Sequence, residues 1–152
     1  MTEFYDLLDN IKNHLEADPN VNAVTFGDIM QVDLNKTTLF PLSHVMVSNV
    51  AFSDHILTAT VNILLLDIVD DNRESSTDVF NSNDNLQDVM NTQLAVGNLL
   101  QSAMRRGDLF TAKFQQLADV SARPFMDRFE NQLAGWDFTF TIQLPNNNIS
   151  IC

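Results

Sequence analysis

Three histidines, twenty acidic residues and a single cysteine are the side chains from which this chain would have to build catalysis or a metal site. His14 stands beside Lys12 and Asn13 on a helical stretch, where a solvated position fits best. His44 and His55 fall on opposite arms of a long hairpin, with His55 near Phe52 at the turn and His44 opposite Ile63. So placed, they cannot share a metal ion or a proton within one subunit. Ser43 and His44 are strand neighbours that point to opposite faces, which rules out a nucleophile and its base. Asp70, Asn72 and Glu74 have the one-three-five spacing of a calcium loop. Ser75, however, stands where the loop needs glycine, and Asn81 where it needs a bidentate glutamate. A solvated acidic loop is the better reading. The glycines, at 27, 97, 107 and 135, are too scattered to cradle a phosphate. Cys152 has no base near it in sequence, and ligands for zinc are lacking. The residues predict no enzyme, no cofactor and no metal, and a function carried by surface and shape.

The composition narrows that function. A chain of 152 residues suits one domain, and with 45% apolar residues it can bury a core without staples. Eleven phenylalanines against one tyrosine and one tryptophan suit a packed interior or an extensive subunit contact. The net charge of −12 repels phosphate, so direct binding to nucleic acid or to an anionic membrane is not expected. It remains compatible with an acidic wall past which DNA slides without sticking. With its one cysteine at the last position, the chain has no internal disulfide and suits a reducing compartment. The acidic start, MTEFYDLLDN, does not read as a signal peptide, and the apolar run near Leu64 is too short to span a bilayer. A soluble intracellular product without membrane contact is the expectation.

The elements that must carry such a surface are legible in the periodicity. Residues 3–17 predict an amphipathic helix, with Phe4, Leu8, Ile11 and Leu15 on one face and Leu7 beside them. A short strand follows at 21–26 and stops at Gly27-Asp28. Residues 40–70 predict two long antiparallel strands. In the first, Val45, Val47 and Asn49 share one face and His44, Met46, Ser48 and Val50 the other. In the second, Leu57, Ala59, Val61, Ile63 and Leu65 alternate with Ile56, Thr58, Thr60 and Asn62. Residues 63–66 are apolar on both faces and should lie against the domain's own helices. A second helix is predicted at 86–106, its stripe marked by Leu86, Met90, Leu94, Gly97, Leu100 and Met104 with Val89 and Gln93 alongside. A short strand is expected around 109–114, a loop at 118–124, and a closing pair of strands at 125–132 and 136–144 joined through Leu133-Ala134-Gly135. Loops occupy 28–40 and 71–85, and a C-terminal arm occupies 145–152. The whole predicts a single α+β domain over 1–152, a mainly antiparallel sheet with both helices packed on one face.

A sheet whose second face carries threonine and small polar residues offers that face to a partner. Thr58, Thr60 and Asn62 are therefore candidate interface residues. In so acidic a chain, Arg105, Arg106, Arg123 and Arg128 are candidates for bridging to a neighbour's carboxylates.

The same elements, in the same order, carry a resemblance that spans nearly the whole chain. The phrases LFPLSHV and GWDFTFTIQLP, the long ILTATVNILLLDIVD strand and the NLQDVMNTQLAVGNLLQSAMRRGDL helix resemble the tail-terminator or tail-completion proteins of tailed phages. The resemblance implies a structural virion protein of the tail neck, assembled in the host cytoplasm. Its subunits would form a ring, generally a hexamer, on the last ring of the tail tube. That ring would stop polymerisation and offer the surface that joins the tail to the head-side connector, with DNA passing through its lumen. Stopper, head-completion and baseplate rings share the general build and stay open as alternatives. An acidic DNA mimic is disfavoured, because the acids are scattered through loops and helix ends.

Overall fold

In the computed structural model the described residues are 3–27, 40–69, 86–106, 115–116, 119–126 and 133–145. They form helix α1 (Glu3–Glu16), strands β1 (Ala23–Phe26), β2 (Leu42–Phe52) and β3 (Ile56–Ile68), helix α2 (Leu86–Arg106), and strands β4 (Gln115–Gln116), β5 (Ser121–Met126) and β6 (Leu133–Pro145). The expected loop at 71–85 and strand at 109–114 lie outside the described residues, as do 127–132, the expected loop at 28–40 except Phe40, and the expected arm at 145–152 except Pro145, which does not break the sheet but ends β6 opposite Ile56.

The strands form one sheet in the order β1-β2-β3-β6-β4, with β5 also on β6. Among the described residues only β1 and β2 run parallel, and every other pair is antiparallel. The fold is α+β, as the order of periodic segments predicts. At the centre, β3 and β6 pair along their full length, from Ile56 opposite Pro145 to Ile68 opposite Leu133. That ladder draws Leu133, Ala134 and Gly135 into the strand, where local pattern alone predicts a connection. The last strand pair also shifts: β5 begins at Ser121, inside the expected loop. Pro124 is tolerated there because β5 pairs only with β6 among the described strands, so the proline's missing N–H interrupts no second ladder.

The hairpin closes at Ser53, whose backbone N–H and hydroxyl both donate to the Ile56 carbonyl, at 2.8 and 2.9 Å. Pairing then proceeds from Phe52 opposite Leu57 down to Leu42 opposite Leu66, with one interruption between Val47 and Asn49. Ser48 is the residue left over, and its hydroxyl donates to the Thr60 carbonyl at 3.2 Å. This bulge corrects two expectations. Strict alternation puts Asn49 with Val45 and Val47, and Val50 on the other face. The extra residue reverses the alternation, so Val50 joins the core beside Val47, and Asn49 sits opposite Thr60. His44 falls opposite Leu64 rather than Ile63, because the turn is longer than a Ser53-Asp54 reversal and closes with Phe52 opposite Leu57.

Both helices pack on one face. Leu7, Ile11 and Leu15 of α1 and Val96, Leu100, Ala103 and Met104 of α2 meet Val45, Val61, Ile63, Leu65, Phe138 and Phe140 in one core. The buried stripe of α2 is rotated from the one periodicity marks. Leu94 is 40% exposed, while Val89 and Gln93 are buried. The roll follows from Gly97, whose missing side chain leaves room for the Phe138 ring against the helix backbone. The Trp136 indole N–H donates to the Met90 carbonyl at 2.8 Å and holds the start of α2 to β6.

The doubly apolar stretch at 63–66 divides between two cores, which corrects its assignment to the helices. Ile63 and Leu65 face the helices. Leu64 and Leu66 join Phe40, Leu42 and Leu133 in a second cluster, with Phe125 of β5 packed against it. On the lower part of the second face these strand side chains therefore pack on one another and on Phe40 from the segment before β2.

Candidate functional site

Above that second cluster the face turns polar. Thr58, Thr60 and Asn62 of β3 stand opposite Gln143, Thr141 and Thr139 of β6, and all six are half-buried. The Asn62 amide donates to Thr139 Oγ1 at 3.0 Å and to Asp137 Oδ1 at 3.2 Å, which fixes the lower end of the ladder. The structure thus brings together the three candidates that strand alternation singles out, on one flat surface. The side chains are short, β-branched or amide-bearing, so the surface presents hydroxyls and amides at fixed spacing, and Asn62 at its lower end also lines a hollow toward β1.

The arginine candidates are at a sheet edge. Arg105, near the end of α2, forms an exposed ion pair with Asp119 at 3.3 Å. Arg106 is the last residue of α2, Arg123 is exposed on β5, and Arg128 lies outside the described residues. Between α2 and β5 runs an open groove of about 570 Å³, lined by Leu94, Asn98 and Arg105 on one side and Asp119, Val120 and Ala122 on the other. A second hollow, about 410 Å³, lies at the opposite side of the sheet, where β1 ends and Phe26, Gly27, Met46 and Ser48 line it.

His44 holds that end together, and sequence reasoning missed it. The residue is fully buried. Its Nε2 lies 2.8 Å from the Gly27 carbonyl, which can only accept, so Nε2 carries a proton. In the neutral ring Nδ1 then accepts from the Thr25 hydroxyl at 2.6 Å. Both partners lie in or just after β1, so the ring clasps the edge strand to β2. No sequence signal pairs His44 with Thr25, because the two meet only through the parallel β1–β2 ladder. Among the described residues, no group of three or more His, Cys, Asp or Glu side chains gathers, and no helix is long and apolar enough to cross a membrane.

No family model and no curated protein matches the chain. Its surfaces must speak for it.

One carboxylate is strained by its position. Burial at the end of β3 raises the pKa of Asp67, and the Ile68 N–H donated to its Oδ1 at 2.7 Å only partly offsets this. An acid whose folded pKa is raised binds more protons folded than unfolded in the window between the two values. Stability therefore falls as pH rises from about 3.9, the usual unfolded value, through the raised folded one. Asp67→Asn keeps an acceptor for Ile68 and removes the charge. The variant is expected to melt higher than the native chain at pH 7 and at nearly the same temperature at pH 3. Equal melting at both values would remove the burial account.

Proposed function

We propose that this chain is a structural virion subunit of the tail-terminator kind. It assembles into a ring on the head-proximal end of a phage tail tube, ends tube growth and supplies the joint to the head-side connector. The observation that carries the reading is the asymmetry of the sheet. Helices seal one face, whereas the other presents a flat ladder of Thr58, Thr60, Thr139 and Thr141. A flat, hydroxyl-lined sheet face has the form of an area covered by another protein rather than of a small-molecule pocket, which is concave and mostly apolar. The resemblance in LFPLSHV and GWDFTFTIQLP, within β2 and β6 and the turn before β2, supports the same reading. The net charge of −12 suits a lumen through which DNA passes without binding.

Electron microscopy of the purified protein mixed with cognate tail tubes tests it. Rings seated on one end of each tube, with elongation halted, are the expected result. Rings that bind the head-side connector and leave tube length unchanged would assign the chain to another neck ring instead. Thr60→Arg probes the face directly. It adds a bulky cation to a half-buried position on the open side, where no core residue of the monomer is displaced. Circular dichroism should stay native while tube capping is lost; normal capping would show that the contact uses a different surface.

A further inference from the structure

The charge of this chain is unevenly divided. Between Arg105 and Arg128 lie five of its eight bases and three of its twenty acids, so this segment is positive while the remainder carries three bases against seventeen acids. The structure puts the described part of that segment at one edge of the sheet, where the end of α2, β4 and β5 flank β6. The opposite edge is β1, with α1 packed against it. Residues 3–27, which make up that edge, carry five acids and one base.

Shape follows the same division. At the acidic edge Phe26 and Tyr5 are 61% and 66% exposed, among the most exposed large apolar side chains described. At the basic edge an open groove between α2 and β5 has an apolar floor of Leu94, Val120 and Ala122, and Arg105 stands at its end. Each outer strand, β1 and β5, pairs on one side only among the described residues. Each therefore offers backbone donors and acceptors to a further strand.

We propose that two copies of this chain meet head to tail, the basic α2–β5 edge of one docking on the acidic α1–β1 edge of the next. Phe26 of the one enters the α2–β5 groove of the other, Arg105 faces the carboxylates of α1, and Arg123 adds its charge to the same edge from the other face of β5. This inference rests on the ring reading, which it deepens by naming the lateral contact. Because the two edges differ, the contact is heterologous, and repetition closes into a ring or continues as a filament. Opposite potentials on the two edges also disfavour like-edge pairing, which fixes the direction of assembly.

The test swaps the charges. Arg105→Glu with Arg123→Glu makes both edges acidic; Asp6→Lys with Asp9→Lys and Glu16→Lys makes the α1 edge basic, with four bases against two acids. Asp9, Glu16, Arg105 and Arg123 are exposed and Asp6 is half-buried, and melting temperatures verify that each variant stays folded. In analytical ultracentrifugation each variant alone should need at least roughly tenfold more protein to associate than the native chain. A mixture of equal parts should recover native-like association, with the two variants alternating in even-numbered particles. Self-association of either variant at the native concentration overturns the edge contact. So does a mixture that stays monomeric. The tube-capping experiment is separate: native rings that cap tubes while the swap fails would leave the ring reading standing and this contact refuted.

Discussion

Gly135→Ala is expected to destabilise the fold by more than about 3 kcal/mol, a large part of the roughly 5–15 kcal/mol that holds a typical domain folded. Gly135 is buried in β6, opposite Leu66 of β3. A Cβ built there drives into the carbonyl oxygen of Leu65. That atom belongs to the backbone of the central strand, so it cannot swing aside as a side chain would. Relief requires breaking the β3–β6 ladder at the point where both cores meet. Gly97 makes a useful contrast. A Cβ there meets the Phe138 ring, which can shift, and alanine returns about 1 kcal/mol of helix propensity. Urea titration of the two alanine variants should rank Gly135 well above Gly97 in cost. The reverse order would mean that β6 pairs less tightly with β3 than the register describes.

Gln93→Met is expected to act in the opposite direction. Gln93 is fully buried on α2, and neither its amide nitrogen nor its oxygen has a hydrogen-bond partner among the described residues. Leaving such a group unsatisfied costs on the order of 1–3 kcal/mol, and methionine replaces it with an apolar chain of similar length and volume. The variant should gain about 2 kcal/mol, read as a higher denaturant midpoint with an unchanged slope. A loss of stability would show that the amide finds a partner in solution. Local pattern treats Gln93 as a polar residue flanking the stripe at 86–106. The roll of α2 around Gly97 is what brings it to the centre.

That difference shows where the sequence speaks and where it stops. Alternation over 56–66 is enough to locate β3 and to say which of its faces is apolar, because successive side chains of a strand must point to opposite sides. The same rule isolates Thr58, Thr60 and Asn62, and the structure places them on one open ladder. The two helices are legible for the equivalent reason, since apolar residues three and four apart fall on one side of a helix. The basic segment from Arg105 to Arg128 is also written in the sequence, although local pattern offers its arginines only as separate residues. Its described part becomes an edge only once β5 is paired to β6 and set at the far side of the sheet from β1.

Periodicity, composition and charge are properties of near neighbours, and they determine by themselves the two helices, the long hairpin, the α+β class and the acidic character of this protein. What the tertiary structure decides is every relation between distant segments. The Ser48 bulge flips β2 because of how it pairs with Thr60 and Val61, not because of anything in residues 45–50. His44 is buried between Thr25 and Gly27 because β1 lies parallel to β2, across many intervening residues. Leu64 and Leu66 belong to a second core because Phe40, Leu133 and Phe125 converge on them from three separate parts of the chain. In each case the deciding energy is packing or hydrogen bonding between groups far apart in sequence, which no local pattern encodes.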